Sequence, residues 1–242
     1  MQSILFCDQI VVVDLGSKDK SAEIAKEFAT DFMVHELVQF GEEVWPELFP
    51  FLKYDWILRM DPDEIFSEGL IESVRETISS TESNAGIITV PYQYYFLGRP
   101  LNYTIWGGIR NLPKIMNRKR INLHPRVHNG CSLKNGYSTL DITSGAKNAV
   151  KHYWVDNYQQ LFSKHFRYIK AEGKSRYERG ERISLLSFIK QPFRACLYSF
   201  LRCKGWQGGG TGIFLSVFYG WYVLMSLFSL GVYQLLVNSE EK

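Results

Sequence analysis

Two short apolar runs, each followed by acidic residues, define the first quarter of the chain. Residues 10–13 read IVVV and are followed by Asp14, and residues 56–60 read WILRM and are followed by Asp61 and Asp63. Continuous β-branched and aliphatic runs, as opposed to alternating ones, are typical of buried strands in parallel sheets. We therefore predict two buried strands, each with an acidic residue at its carboxyl end.

Helical periodicity follows each of these strands. After Gly16, Ser17 or Asp19 can cap a helix over residues 20–29, and apolar residues at helical spacing predict a second helix over residues 69–79. Residues 85–91 form a third apolar run and predict a third strand. This alternation predicts an α/β fold in which a mixed, mainly parallel sheet is flanked by helices.

The middle of the chain is less regular. Between residues 92 and 151 glycines and aromatic residues interrupt the pattern, and only residues 112–116 and 136–139 are weak strand candidates. Residues 156–172 have an apolar stripe at helical spacing and predict a helix. Loop-rich segments of this kind often contribute the binding parts of an open α/β sheet.

The last quarter changes character. Residues 187–204 mix apolar and basic side chains, and residues 212–237 contain no charged residue. The uncharged stretch exceeds the roughly 20 residues that span a bilayer, and the segment before it has the composition of an interfacial helix drawn to anionic lipid. A re-entrant hairpin, a buried helix pair and a dimer contact are the alternatives.

Composition narrows the class of protein. Of 242 residues, 45% are hydrophobic and 22% charged, which favours a packed core and excludes wholesale disorder. A net charge of +3 without a Lys/Arg-rich run argues against a nucleic-acid partner. The four cysteines form no C-x-x-C pair and no zinc-ligand pattern, so reduced thiols in the cytosol are expected. The first residues do not resemble a signal peptide.

The acidic strand ends predict a cation site. Ligands of open α/β sheets bind beyond the carboxyl ends of the strands, so Asp14, Asp61 and Asp63 are expected to face one crevice. Mg²⁺ or Mn²⁺ prefers carboxylate oxygens and can bridge the phosphates of a nucleotide diphosphate. A lone D-x-D motif is a weak signal, and a solvated acidic turn is its alternative. The ordered combination of strand, Asp14, helix, strand, Asp61 and Asp63 is more specific.

These two segments resemble a known family. Residues 12–21 read VVDLGSKDKS and residues 55–64 read DWILRMDPDE. They resemble the "VVDxGSxDxT" and "DWILxLDADE" segments of family 2 glycosyltransferases, which have the Rossmann-like GT-A fold. The resemblance covers roughly residues 8–180 and is strongest to the bacterial branch that modifies lipopolysaccharide cores and other envelope glycans.

The resemblance implies an activity and a set of site residues. It implies inverting transfer of a sugar, of hexosyl or heptosyl type, from a nucleotide-sugar donor. Asp61 and Asp63 would hold Mg²⁺ or Mn²⁺, with His128 as a further metal ligand. The donor would be bound by Asp14, Ser17, Asp19 and Asp61.

The general base is less clearly indicated. An inverting transferase needs a group that accepts the proton of the acceptor hydroxyl, and the candidates are Glu64, His128 and Asp141. Glu64 has a helix cap as its alternative role. Residues 127–129 read VHN where the related branch reads "VHE", so Asn129 replaces an acid. His152, in a family-like His-Tyr pair, is interpreted as structural.

Two further groups have both a functional and a structural interpretation. The first is basic and would bind donor or acceptor phosphate, or form a solvated face; it comprises Arg118, Lys119, Arg120 and Arg126. The second is aromatic and would form a sugar platform or a core; it comprises Tyr92, Tyr94, Tyr95, Phe96 and Trp106.

The sequence therefore predicts two domains. Residues 1–180 would form a GT-A-like domain, in which too few residues precede residue 10 for the family's usual first strand. Residues 181–242 would form C-terminal helices that associate with the membrane, either peripherally or as a single span. The expected location is the cytoplasmic face of the inner membrane. The expected partners there are membrane lipid and a lipid-linked or envelope glycan acceptor. The alternative is an inactive, truncated homologue that acts as a membrane-bound interaction module. A nucleotidyltransferase would require a Gly-rich phosphate loop, which is not visible.

Overall fold

The computed structural model describes residues 1–38, 41–80, 84–123, 131–143 and 148–240. The chain forms two compact units. The first unit comprises Met1–Tyr92 and Ile109–His152, and the second comprises Gln93–Gly108 and Tyr153–Lys242. Each unit is described separately below.

The first unit begins with a β-α-β arrangement. Strand β1 (Val11–Asp14) is followed by helix α1 (Ser21–Phe28) and by strand β2 (Asp31–Val34), which pairs in parallel with β1. Parallel pairing of successive strands needs a crossover, and α1 supplies it. The predicted strand and helix are confirmed, whereas β2 was not predicted because its four residues carry little periodic signal.

The larger sheet contains the remaining long strands. Its order is β3-β7-β5-β11-β4, with β6 and β10 also paired to β5, while β8 and β9 form a separate antiparallel pair. The strands are β3 (Trp56–Leu58), β4 (Glu64–Ile65), β5 (Ala85–Phe96), β6 (Arg99–Pro100), β7 (Arg110–Asn117), β8 (Ile121–Leu123), β9 (Cys131–Leu133), β10 (Ser138–Asp141) and β11 (Val150–Val155).

The prediction of a mainly parallel sheet is wrong. In the larger sheet β10 pairs with β5 in parallel, but β3 with β7, β5 with β6, β5 with β7, and β11 with β4 are antiparallel. The physical reason is the connection between β5 and β7, which is made by the short hairpin strand β6 and no helix. Short connections return the chain antiparallel, because a parallel return needs a crossover of a dozen or more residues.

The two acid-bearing strands belong to different sheets. β1 pairs with β2, whereas β3 pairs with β7, so the expectation of one sheet edge carrying Asp14, Asp61 and Asp63 is corrected. Gln9 links the segments that lead into these strands. Its Nε2 donates to the carbonyl oxygen of Phe51 at 3.0 Å, and its Oε1 accepts from the Lys53 amide at 2.8 Å.

Helix α3 covers the core of the first unit. It spans Glu68–Ser79, as its periodicity predicts, and buries Leu70 and Val74. Ile88, Val90 and Ile115 of the sheet are also buried. β5 is buried on both faces over most of its length, which explains why its apolar run is continuous. A short helix, α2 (Trp45–Leu48), precedes β3.

The described part of the second unit contains three α-helices, strand β6, the ends of β5 and β11, and an aromatic cluster. The helices are α4 (Tyr158–Glu178), α5 (Leu185–Leu197) and α6 (Gly209–Glu240), and a π-helical turn, Tyr198–Arg202, continues α5. Asn157 caps α4 by accepting from the Gln160 amide at 2.8 Å. Buried apolar residues of the cluster include Phe96, Trp154 and Phe218.

Contacts along α6 define the helix directions. Tyr158 packs on Phe214 at 5.2 Å between ring centroids, and Tyr177 packs on Tyr233 at 5.4 Å, so α4 and α6 run parallel. α5 runs antiparallel to α6, because Phe188 packs on Phe228 at 5.0 Å while Ser199, further along, lies 3.1 Å from Ser216 between hydroxyl oxygens.

Candidate active site

An acidic turn at the end of β3 is the centre of the candidate site. Asp61 and Asp63 lie between β3 and β4, with 58% and 35% of their side chains exposed. The turn is closed by two hydrogen bonds: the Glu64 amide donates to the Asp61 carbonyl oxygen at 3.1 Å, and the Asp61 amide donates to the Glu64 carboxylate at 3.3 Å. Both aspartates therefore present carboxylate oxygens to solvent from a fixed backbone.

The buried side chain of Glu64 anchors this turn to the sheet. Its carboxylate accepts hydrogen bonds from the Tyr92 hydroxyl and the Lys114 ammonium. Lys114 is also buried, and its Nζ lies 3.7 Å from an Asp61 carboxylate oxygen. A buried charge is stable only when it is paired and hydrogen-bonded, and this pair satisfies that condition. The arrangement suits a positioning role for Glu64, with its carboxylate already engaged.

His152 lies beside the second aspartate. It is the third residue of β11, pairs across the sheet with Glu64, and places its Nε2 3.0 Å from an Asp63 carboxylate oxygen. Its ring packs edge-on against Tyr92 at 5.3 Å between centroids. The sequence interpretation of His152 as merely structural missed this contact. Its only sequence signal was the family-like His-Tyr pair, because 89 positions separate the two partners.

Asp14 organises the turn after β1. Its carboxylate accepts hydrogen bonds from the Ser17 amide at 3.1 Å and from the Ser17 hydroxyl. Asp19 accepts from the Ser21 amide at 2.9 Å, and hydrogen bonds from Ser21 lower the pKa of the Asp19 carboxyl. Ser17 thus holds the Asp14 carboxylate, and Asp19 binds the amide of Ser21, the first residue of α1.

Asp141 lies at the end of β10 and is exposed. Its carboxylate accepts a hydrogen bond from the Thr89 hydroxyl. The strand register aligns Asp141 with Thr89 on β5, and Thr89 with Pro113 on β7, next to Lys114. Three strand spacings, from β10 to β5, from β5 to β7 and from β7 to β3, thus separate Asp141 from β3, a distance of about 14 Å across the sheet. That separation leaves room for a substrate, whereas direct sharing of one cation with Asp61 would require a much shorter distance.

The predicted basic residues have structural partners where they are described. Arg118 donates to the Leu52 carbonyl oxygen, and Lys119 donates to Asp55 at 2.8 Å, which lowers the pKa of the Asp55 carboxyl. Arg120 donates to the Ala85 carbonyl oxygen at 2.7 Å. Arg126, His128 and Asn129 fall in residues 124–130, outside the described residues.

The aromatic residues predicted to form a sugar platform lie in different parts of the structure. Tyr92 belongs to the Glu64 site, and Tyr95 packs on Tyr153 at 5.0 Å. Phe96 and Trp106 contact Trp154 in the second unit's core, as does Tyr94, at 6.0 Å. Core packing therefore accounts for Tyr94, Phe96 and Trp106.

The chemistry of the acidic turn fits a hard divalent cation. Within the described residues there is no group of three or more His, Cys, Asp and Glu side chains that would hold a metal ion unaided. Mg²⁺ sites built from one or two carboxylates, completed by substrate phosphates and water, need no such group. Asp61 supplies an exposed carboxylate of this kind, and Asp63 supplies a half-buried one.

The comparison with protein families agrees with this geometry. The family described as glycosyl transferase family 2 matches residues 7–137, which include Asp14, the acidic turn and β5 to β9. The match covers more than half of the chain, and the chain belongs to this family. It is therefore a glycosyltransferase with a GT-A fold, in a family that uses nucleotide-sugar donors and glycan acceptors, often with a divalent metal.

Proposed function

We propose that this chain transfers a hexosyl or heptosyl unit, with inversion, from a nucleotide-sugar to a lipid-linked or envelope glycan, as in lipopolysaccharide core assembly. The observation that carries the proposal is the acidic turn, where the exposed Asp61 and half-buried Asp63 carboxylates follow β3 on a backbone linked to the buried Glu64–Lys114 pair. Such fixed charges are suited to a donor diphosphate bound through a cation.

Asp61 and Asp63 hold Mg²⁺ or Mn²⁺ in this proposal. The cation, when bound, neutralises charge on the leaving diphosphate. His152 orients Asp63 through the 3.0 Å contact, as hydrogen-bonded neighbours commonly do for metal-binding carboxylates. His128 stays in the proposal as a further ligand from the sequence resemblance.

Asp14, with Ser17 and Asp19, binds the nucleotide part of the donor. In this proposal Asp14 provides the oxygens that accept hydrogen bonds from the nucleotide. Ser17 holds the Asp14 carboxylate, and Asp19 holds the start of α1. Asp61 contributes to the donor site from the other sheet.

Asp141 is the general base in this proposal, with His128 as its sequence-derived competitor. A base must expose a lone pair to the acceptor hydroxyl, and Asp141 is exposed whereas Glu64 is buried and bonded to Tyr92 and Lys114. The base takes the hydroxyl proton as the acceptor oxygen attacks the anomeric carbon and the diphosphate leaves.

The cytoplasmic face of the inner membrane is the proposed location. Among the described residues, one helical segment, Gly205–Ser239, which includes most of α6, is long and apolar enough by length and composition to cross a membrane. A lipid-linked acceptor would be held in the same bilayer as the enzyme, which shortens its search for the active site.

Donor binding provides the test. The thermal stability of the purified full chain is measured with UDP-, GDP- and CMP-sugars, each with and without Mn²⁺, because a ligand that binds the folded state raises the melting temperature. We expect a rise that needs both Mn²⁺ and one nucleotide class. Asp63→Ala should abolish this rise, whereas Glu72→Ala, which removes an exposed carboxylate from α3, should retain it.

Two outcomes would contradict the proposal. Unchanged metal-dependent donor binding in Asp63→Ala would remove the metal assignment. A folded wild-type chain that responds to no donor would instead favour the inactive, membrane-bound homologue.

A further inference from the structure

An exposed apolar stripe runs along the outer face of α5. Leu185, Ile189 and Phe193 are 88%, 74% and 64% exposed, although each is a large hydrophobic residue. The stripe continues at the same four-residue spacing through the π-helical turn. It comprises Leu185, Ile189, Phe193, Leu197 and Leu201. Residues four apart share one face of a helix, so these side chains form one continuous strip.

Basic residues flank this stripe. Lys190, Arg194 and Arg202 each follow a stripe residue by one position, which places them about 100° around the helix. All three are exposed. Between Arg182 and Ser239 the chain has five basic residues and no acidic residue. Because the whole chain has a net charge of only +3, this stretch carries more positive charge than the molecule as a whole.

The opposite face of α5 is occupied by α6. Besides the Phe188–Phe228 contact, Gly220 lies so close to Pro192 and Cys196 that an added Cβ would be 3.0 Å from the Pro192 carbonyl oxygen. The inner face therefore supplies the packing, and the outer stripe is not needed to hold α5 in place.

α6 has the surroundings of a bundle helix, although its composition would permit a membrane span. Tyr222 donates to Glu172 at 2.6 Å, and Arg176 donates to Ser226 at 2.8 Å. In the most apolar stretch of this helix 39% is buried, so its contacts within the protein cover one part of the surface and leave the larger part exposed.

The packing of α4 on α6 would raise the free-energy cost of placing α6 across a bilayer. α4 accompanies α6 from Tyr158 to Tyr177 and carries exposed Arg167, Lys170 and Lys174. A span that retained α4 would place these charges in or near hydrocarbon, at about 2.5 to 3.5 kcal/mol for each at the centre.

We propose that residues 182–206 dock the protein on the surface of an anionic lipid bilayer. The apolar stripe enters the boundary between headgroups and acyl chains, and the flanking basic side chains pair with lipid phosphates. From Leu185 to Leu201 the stripe is about 24 Å long at the helical rise, and it lies along the membrane plane. Trp206 is also exposed and extends the stripe, and tryptophan is a residue type enriched at membrane–water interfaces. The inference rests on the proposed function only for the membrane location.

Vesicle flotation of the full chain tests this docking surface. Wild-type protein is mixed with vesicles of phosphatidylcholine alone or with added phosphatidylglycerol. We expect binding to the anionic vesicles, weakened by salt, and a loss of at least about tenfold in the double variant Ile189→Ser/Phe193→Ser. Lys190→Gln/Arg194→Gln should weaken binding to anionic vesicles selectively.

The matched control removes two equally exposed hydrophobic residues from the first unit. Val34 and Leu37 are 74% and 76% exposed, so Val34→Ser/Leu37→Ser should bind vesicles like wild type. Far-UV circular dichroism and thermal unfolding of each variant establish that it is folded, and a variant that fails this check is replaced by the single change Ile189→Ser.

Three results would overturn the inference. The first is undiminished vesicle binding by folded stripe variants. The second is wild-type protein that stays with the vesicles after washes with high salt and alkaline carbonate, as expected of a membrane-spanning α6. The third is that substitutions in the stripe alter only the oligomeric state of the protein without lipid and leave vesicle binding unchanged. Donor-induced thermal shifts in the same preparations report separately on the proposed function, because they need no lipid.

Discussion

Lys114 is the residue whose environment most constrains the acidic turn. Its ammonium is buried, bonds to Glu64 and lies 3.7 Å from Asp61. The Glu64 carboxylate neutralises the buried Lys114 ammonium, and the approach of the same ammonium to Asp61 links the buried pair to the acidic turn. The pair therefore ties the turn formed by residues 61–64 to the buried part of the sheet.

Replacing Lys114 with methionine should destabilise the fold strongly. Lys114→Met retains most of the side-chain volume but leaves the Glu64 charge buried without its cation, which typically costs about 3 to 5 kcal/mol. The free energy of unfolding from urea titration measures this change. Lys119→Met provides the control, because its ion pair with Asp55 is solvent-exposed and should contribute little to stability. Equal, small effects of both substitutions would disprove the anchoring role.

At the scale of elements, the packing of α4 on α6 depends on close backbone approach. Gly173 is buried, and a Cβ at this position would overlap the carbonyl and hydroxyl oxygens of Ser229. A larger residue would therefore push the two helices apart.

Gly173→Ala should lower the stability of the second unit by about 1 to 3 kcal/mol, because overpacking forces the helix backbones to move. Gly210→Ala is the matched control in α6. Its added Cβ would meet no atom within 4 Å, and alanine favours a helix by up to about 1 kcal/mol over glycine. Thermal unfolding of both variants measures the contrast, and a neutral Gly173→Ala would mean that the helices do not pack this closely.

His165 makes the second unit sensitive to acid. It is buried, its Nδ1–H donates to the Leu161 carbonyl oxygen at 2.7 Å, and rings of Phe218 and Tyr222 lie 4.7 and 5.2 Å away. Burial lowers the pKa of its imidazole. The unfolded chain therefore takes up this proton at a higher pH than the folded chain does.

The pH dependence has a definite sign. Stability from His165 is fully present above its unfolded pKa of about 6.5 and declines as the pH falls below that value towards the lower folded pKa. We expect the melting temperature of wild type to fall more steeply than that of His165→Gln between about pH 7.5 and about pH 5. Parallel profiles would show that His165 does not carry this acid sensitivity.

The elements show which parts of the fold a sequence can predict. β1, α1, β3, α3 and α4 were predicted near their observed positions because each has a clear apolar period or run. Strand direction was predicted wrongly, because a doubly buried strand such as β5 looks the same in parallel and antiparallel sheets. β11 was missed, although it carries His152, because its alternation lies inside an irregular segment.

The candidate site was predictable only in part. The acidic turn was visible because its residues are adjacent in sequence, whereas the Glu64–Tyr92–Lys114 group joins three distant strands through the register of the sheet. Periodicity contains no information on such pairings. Glu64 as a base and the basic residues as phosphate ligands remain sequence predictions; the structure gives Arg118, Lys119 and Arg120 other contacts.

At the scale of the whole molecule, donor binding and membrane docking should be separable. The proposed donor residues all belong to the first unit, and the α5 stripe belongs to the second. Ile189→Ser/Phe193→Ser should therefore lose vesicle binding while keeping its metal-dependent donor shift, and Asp63→Ala should show the reverse. Flotation and thermal-shift measurements on the same preparations provide the comparison, and simultaneous loss of both properties in either folded variant would refute separability.

The parallel direction of α4 and α6 has a consequence for how α5 can change during evolution. Two neighbouring helices that point the same way cannot be joined by a short loop, so the chain must travel back along their length. α5 and the π-helical turn after it form that return segment, and they contact α6 through Phe188, Pro192 and Ser199. The outer residues of α5 therefore do not contribute to its packing on α6. Selection can change these side chains one at a time while the packing of α5 on α6 is preserved.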